Sequence, residues 1–400
     1  MAGTGSAGNH PEHSMTAVLS PRALLDRLVS FPSVSRDSNL PLVDWVEDYL
    51  GGHGIACHRD MDPTGTKASL YAHVGPEVAG GVILSGHTDV VPVDGQAWDS
   101  DPFSVVEKDG KLYGRGTCDM KGFDALAIWA TVEAHKRGVK RPLQLCLSRD
   151  EEIGCTGAPP MIAAMQAHMP KAALAIIGEP TEWGIVNGHK GGVGFDLHFH
   201  GFEVHSSLAY RGVSAIMEAA RLIDWANRVN AENAEKADPA SDYDPPYTSL
   251  HVGMIQGGTA HNITAKDCTF VLSARTVPAE PNALWAERIL EEIARIEAGM
   301  KAVRPEAGIT ALPRWDIPGL RAEQDGAAEA LVRRLTGENG TAVVSYGTEA
   351  GQFQDAGYSA IVCGPGNIAQ AHQPNEYMYV EQLTKGEAFM ERLLGVLNEG

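Results

Sequence analysis

His87 with Asp89, Asp119, the pair Glu151-Glu152, Glu179 and His372 stand just after apolar, strand-like runs or in short turns rich in glycine and proline. Three of those runs read Gly81-Val82-Ile83-Leu84-Ser85-Gly86, Leu143-Gln144-Leu145-Cys146-Leu147-Ser148 and Ala173-Leu174-Ala175-Ile176-Ile177-Gly178. Near-continuous apolar runs of this length suit buried parallel strands. In an open α/β sheet, ligands gather beyond the carboxyl ends of the strands. Imidazoles and carboxylates collected there have the makeup of a two-metal hydrolytic site.

Each motif alone admits a plainer account. In Gly86-His87-Thr88-Asp89 an imidazole and a carboxylate lie two residues apart. Neutral imidazole ligates zinc or cobalt, and Asp89 is the candidate partner that fixes its tautomer. The alternative is a core histidine beside a turn-capping aspartate. The Gly-rich stretch Gly114-Arg115-Gly116-Thr117-Cys118-Asp119-Met120-Lys121-Gly122 fits neither common phosphate-loop spacing. Asp119 there is either a metal bridge or a helix N-cap. The adjacent carboxylates of Asp150-Glu151-Glu152 repel one another and need cations close by, unless the loop is simply solvated. Gly178-Glu179-Pro180-Thr181 repeats the theme of one carboxylate at a strand end. Together these motifs supply two histidine and three carboxylate ligands, with one glutamate left over as a base. Two-metal hydrolysis requires such a set, and a purely structural account does not.

The elements that must position these groups fall into two styles. Ser20 can cap a first helix and Pro21 suits its first turn. A second helix runs from about residue 40 to 50. Strands near 68–74, 81–86, 143–148 and 173–178 then alternate with helices at 122–137 and 157–168, which argues a mixed, largely parallel sheet covered by helices. Near Gly188 the pattern changes to Phe195-Asp196-Leu197-His198-Phe199-His200, with the period of two of a half-exposed strand. A helix at 214–230, a polar loop at 233–246, strands at 247–256 and 263–275, a helix at 282–299 and a strand near 308–315 complete a β-α-β-β-α-β order, that of a ferredoxin-like unit. A helix at 323–336 and strands at 341–346 and 359–363 resume the first style. The expected organisation is therefore an α/β catalytic domain at 15–186 and 318–400, interrupted by an inserted unit at 187–317. His198 and His200 have the spacing of a metal pair, but no carboxylate accompanies them in the sequence, so an exposed strand face is expected there.

Composition narrows the function. The 400 residues carry a formal charge of −19 with no basic stripe, which argues against nucleic acid and anionic membranes as partners. No stretch approaches a membrane span. Six scattered cysteines without a CxxC pair suggest reduced thiols in a cytoplasmic protein. Cys118 and Cys155, close to candidate ligands, are expected to be small buried residues. Residues 1–14 read as a disordered extension ahead of a start at Met15.

The motifs SGHTDVVPVD, GRGTCDMKG, SRDEEIGCTGA, GEPT, GFEVHSS and GPGNIAQAHQPNEY resemble those of the M20 family of metallopeptidases and deacylases, over essentially all of the chain after Met15. The last of them and Gly347-Thr348-Glu349-Ala350 look like its acetylornithine deacetylase branch. The resemblance implies one metal on His87 and Glu179, a second on Glu152 and His372, and Asp119 bridging the two. It implies Asp89 as the support of His87, Glu151 as general base, and a cis peptide after Asp119. His205, on a lid formed by the inserted unit, would reach the site of the partner in a homodimer, and Asn262 and Arg275 would contact the substrate carboxylate. Glu349 is a candidate for the side-chain ammonium of ornithine or, equally, a buried supporting carboxylate. The cofactor implied is a pair of divalent ions, Zn2+ with Co2+ as a further possibility. The reaction implied is hydrolysis of an N-acyl amino acid, Nα-acetyl-L-ornithine above succinyl-diaminopimelate, other acylamino acids or dipeptides. A non-catalytic binder on the same scaffold would be expected to lose the base or a ligand, and this chain keeps all of them.

Overall fold

A computed structural model describes residues 17–399, so the extension expected at residues 1–14 lies outside the described residues. Helix Pro21–Val29 begins as its sequence suggests: Ser20 Oγ accepts the Ala23 N–H at 3.2 Å and proline occupies the first turn. Its buried face, Leu24, Leu25, Leu28 and Val29, follows the 3.6-residue period.

The large sheet has eight strands in the order Cys57–Met61, Ala68–Val74, Leu143–Ser148, Val82–His87, Leu174–Ile177, Ser359–Val362, Val186–His189, Ala342–Val344. The four consecutive strands from Leu143–Ser148 to Ser359–Val362 are parallel to one another, and this block has an antiparallel neighbour on each side, Ala68–Val74 and Val186–His189. Val82–His87 and Leu143–Ser148 are buried at every position, which is why their sequences read as unbroken apolar runs rather than alternating ones. One face is covered by helices Pro21–Val29, Leu40–Gly52, Lys121–Arg137 and Val380–Asn398. The other packs against Ala158–His168 and Ala350–Asp355. Each fully buried leucine or phenylalanine in these layers contributes roughly 1.5–3 kcal/mol.

Two glycines let the sheet meet its central helix closely. A Cβ on Gly86 would sit 2.0 Å from Asp124 Oδ1, and one on Gly178 would fall within the Phe123 ring at 1.9 Å. Both precede a candidate ligand, His87 and Glu179. The close fit therefore anchors the strand ends from which those side chains emerge.

The second unit is a four-stranded antiparallel sheet in the order Ser249–Gly257, Asp267–Thr276, Gly191–His200, Gly308–Ile317, with helices Ala215–Glu235 and Asn282–Val303 on one face. It begins at Gly191 and not at residue 187, because Val186–His189 pairs with Ala342–Val344 and, at Val186, with Val362. The helix expected to end at residue 230 continues to Glu235. Its polar residues are not loop residues: Asn230 and Asn233 donate from Nδ2 to the carbonyls of Leu250 and Thr248 at 2.9 and 2.7 Å. The two connections between the units run side by side, with the His189 N–H donating to Leu320 O at 3.2 Å. Short strands Val106–Lys108, Lys111–Tyr113 and Tyr377–Tyr379 form a separate small sheet, too brief for alternation to reveal.

Candidate dinuclear metal centre

Three adjacent parallel strands end at one edge of the large sheet and deliver His87, Glu151-Glu152 and Glu179 from their carboxyl ends. Asp119 lies just before helix Lys121–Arg137, at a cis peptide with Met120. His372 returns from the last portion of the chain, beyond strand Ser359–Val362, with a left-handed φ of 63°.

These side chains converge around Asp119. Its Oδ1 lies 3.1 Å from His87 Nε2 and its Oδ2 lies 3.1 Å from His372 Nε2, so each carboxylate oxygen faces a different imidazole. His372 Nε2 is also 3.0 Å from Glu152 Oε2, and His87 Nε2 is 3.8 Å from Glu179 Oε1. Glu151 Oε2 stands 3.9 Å from His87 Nε2. His372 is half-exposed, while the other five side chains are largely buried.

Burial raises Glu151 to about 7, with His87 opposing the shift and Glu349, Asp119 and Asp89 reinforcing it. Glu152 rises to about 7 from burial and from Asp119, and Glu179 rises for the same two reasons. Asp119 moves the other way: burial acts against it, but bonds to His372 and His87 hold it below the usual carboxylate range. His372 rises to about 10 through those same bonds to Asp119 and Glu152. Four carboxylates crowded in low dielectric need positive charge to stay ionised together. Among the described residues, Glu152 Oε1 is buried with no hydrogen-bond partner. Two imidazoles, a carboxylate with both oxygens presented and an orphaned carboxylate oxygen fit a pair of divalent cations.

Asp89 does not hold His87 through its carboxylate. The His87 Nδ1–H donates to the Asp89 main-chain carbonyl at 2.9 Å, whereas Asp89 Oδ1 is 3.8 Å away. That bond uses Nδ1 and leaves Nε2, aimed at Asp119, as the nitrogen available to a metal. The Asp89 carboxylate instead accepts the Glu151 N–H at 3.1 Å, the Glu152 N–H at 3.3 Å and the Ser35 hydroxyl at 2.7 Å. It therefore shapes the turn that points those two glutamates different ways. Asp150 leaves the carboxylate cluster altogether, pairing with Lys67 and, at 3.0 Å, with Arg149.

Motif spacing gave no sign of Glu376, a fully buried carboxylate. Its Oε1 accepts the N–H groups of Gly116, Cys118 and Asp119 at 3.0, 3.0 and 3.1 Å, and its Oε2 pairs with Arg115 at 2.5 Å. It thereby fixes the loop that carries Asp119. The available signal was an acidic residue four positions after His372 in a Gly/Pro-rich turn.

Glu349 is 2 % exposed and bonds to the hydroxyls of Ser148 and, at 3.5 Å, Ser85. Both serines lie on the sheet below the ligands, a placement that favours a buried supporting role over contact with an ammonium group. His205 and Asn262 occupy neighbouring exposed loops of the second unit, where the Ser206 N–H donates to Asn262 O at 2.8 Å. None of the hydrogen bonds made by His205 within the described chain reaches the candidate ligand cluster. Arg275 is exposed near Gly347, with no ion pair or side-chain hydrogen bond among the described residues. Cys118 and Cys155 are buried as expected, and the Cys155 thiol faces Glu151 Oε1 at 3.1 Å. All six cysteines are free.

Asp267 stands beside His198 and His200, contrary to the expectation that no carboxylate accompanies them. It comes from the neighbouring strand, 67 positions beyond His200 in the chain, and lies directly opposite it.

A family model described as Peptidase family M20/M25/M40 matches residues 83–395. Acetylornithine deacetylase of Myxococcus xanthus is 36 % identical over 383 residues, covering 93 % of this chain and 96 % of that protein. An M20 family metallo-carboxypeptidase from Sulfolobus solfataricus has the same fold, with a TM-score of 0.76 at 17 % identity over 94 % of this chain and 99 % of that one. A dinuclear metal-binding peptidase of the M20 family from Bacillus subtilis aligns with a TM-score of 0.61 at 16 % identity, covering 94 % and 97 %. The chain belongs to the M20 peptidase family and is a hydrolase of that family.

Proposed function

We propose that this enzyme removes the acyl group from an N-acyl amino acid, with Nα-acetyl-L-ornithine as the substrate and L-ornithine and acetate as products. The single observation that carries the hydrolytic reading is Asp119 held between two imidazoles with Glu151 alongside. The choice of acetylornithine rests on likeness to the Myxococcus deacetylase across almost the whole chain.

His87 and Glu179 would hold one divalent ion, Glu152 and His372 the other, and Asp119 both. Zinc is the first choice for this nitrogen and oxygen donor set, and cobalt suits it as well. When bound, such a pair supplies Lewis acidity, lowering the pKa of water and polarising the acyl carbonyl. Glu151 takes the proton from the attacking water as oxygen adds to the acyl carbon. It then returns that proton to the amine nitrogen as the C–N bond breaks. A proton affinity near 7, raised by burial, suits both transfers. Asp89, bonded to the main-chain N–H groups of Glu151 and Glu152, would hold the turn from which base and ligand project.

Arg275, unpaired within the described chain, is the candidate to grip the substrate carboxylate through two parallel hydrogen bonds, with Asn262 beside it. The inserted unit, ferredoxin-like in its strand order, would act as a lid and as the contact surface of a homodimer. The partner subunit's His205 would then donate to the oxyanion. Its exposure, and the lack of a hydrogen bond to the cluster within its own chain, support that arrangement. Six unpaired thiols support a reducing, cytoplasmic setting, and among the described residues no helix is long and apolar enough to cross a membrane.

Comparing kcat/KM for Nα-acetyl-L-ornithine, succinyl-diaminopimelate, simple acetylamino acids and dipeptides tests the assignment. Acetylornithine is expected to lead. A higher value for any of the others would move the enzyme to that branch of the family.

A further inference from the structure

We propose that His198, His200 and Asp267 form an accessory site for one divalent transition-metal ion, on the sheet face of the second unit that carries no helix. Strand Gly191–His200 turns Leu197 and Phe199 into the core and His198 and His200 to the opposite face. Asp267 opens the adjacent strand and is in register with His200. All three side chains are open to solvent, at 38, 41 and 55 % exposure, so an ion can reach them.

The donors are already turned towards one another. His198 Nε2 lies 2.8 Å and His200 Nδ1 lies 3.9 Å from the same oxygen, Asp267 Oδ1, and the two ring centroids are 3.7 Å apart. One ligand atom from each residue falls within 4.8 Å of the others. An ion with bonds of about 2.0–2.2 Å holds its donors roughly 3–3.5 Å apart, so small side-chain rotations close the set. His200 Nε2 bonds to Thr310 Oγ1 at 3.1 Å. With the proton on that nitrogen, the Nδ1 lone pair faces Asp267, the outer hydrogen bond that a ligand imidazole needs.

An ordinary His–Asp hydrogen bond accounts for His198 alone. It does not account for a second imidazole lying against the first, tilted by 40°, and facing the same oxygen. Arg314, on the same face, is paired with Asp196 at 2.8 Å and does not compete for Asp267. Two nitrogens and one carboxylate suit zinc, nickel, copper or cobalt, and not magnesium or calcium. Water would complete the coordination.

Such an ion would brace the two segments that follow these residues and precede Asp267. Gly201–His205 pairs with residues 262–266: the Gly201 N–H donates to Lys266 O at 2.6 Å and the Thr264 N–H to Val204 O at 2.9 Å. His205 and Asn262 sit at the tip of this ribbon. The ion would join the two arms at their root.

The test is metal stoichiometry. Native enzyme is stripped with chelator, dialysed against micromolar Zn2+, and its bound zinc is counted by mass spectrometry beside His198→Gln, His200→Gln and Asp267→Asn. Each variant is expected to bind one equivalent fewer than native protein. Because only the difference is read, the outcome does not depend on how many ions the main centre holds. Equal stoichiometry in native protein and all well-folded variants would overturn the site. If one variant loses thermal stability in chelator, the other two decide.

Discussion

Replacing Glu376 tests whether the loop carrying Asp119 is positioned from behind. Glu376→Gln leaves Arg115, itself 1 % exposed, facing a neutral amide where its counter-charge stood. Breaking a buried pair from one side costs about 3–5 kcal/mol. The remaining amide oxygen must also serve three N–H groups without a full negative charge. For a domain of this size each kcal/mol lowers Tm by roughly 2–4 °C, so a fall of about 6–20 °C is expected. Glu376→Ala leaves four donors without this acceptor, at about 1–3 kcal/mol for each one that stays dry, and should fare worse. Positioning has a separate signature. Measured well below Tm, Glu376→Gln should bind zinc about 10–100-fold more weakly, as loss of outer support does for metal ligands. Calorimetry and competition with a chelating dye read the two effects. A Tm within about 2 °C of native would refute the stability reasoning. A lowered Tm with native zinc affinity would leave Glu376 a structural residue only.

Three further outcomes follow from the site. Glu151→Gln should keep its zinc and lose most turnover, while Glu152→Gln should lose or weaken one ion; equal zinc loss in both would mean base and ligand are misassigned. In chelator, Tm should fall as pH rises from about 5 to about 8. Glu151 and Glu152 are raised from 4.5 to about 7, so their contribution is complete below the lower value and lost through the upper one. His372, raised from 6.5 to about 10, adds to the loss at the alkaline end, and the depressed Asp119 acts only in acid. Zinc-loaded protein should lack this trend, and a flat Tm in chelator would contradict it. Finally, mixing inactive Glu151→Gln with inactive His205→Ala protein should restore part of the activity, because in the proposed homodimer each hybrid would contain one site with an intact base and the other subunit's intact histidine. No recovery after verified subunit exchange would remove His205 from catalysis.

The sequence by itself determined the buried central strands and the sheet edge at which the candidate ligands gather. Residues 82–87, 143–148 and 174–177 are buried on both faces, so their apolar character is local and continuous. A polar residue placed directly after such a run must emerge at a sheet edge, which made His87, Glu151 and Glu179 legible as a group. The β-α-β-β-α-β order of the second unit was legible for a related reason, since alternation along strand 191–200 records which side chains face its helices. Only the tertiary structure decided what each carboxylate touches. Asp89 lies two residues from His87 yet turns its carboxylate to a loop 62 positions away. Glu376 meets backbone N–H groups, which carry no side-chain signature in a sequence. Glu349 could face a substrate or two serines, and burial chose the serines. Asp267 reaches His200 through strand register alone. Burial patterns are written in the order of residues along the chain, whereas pairings between distant polar groups depend on how the sheets stack and register.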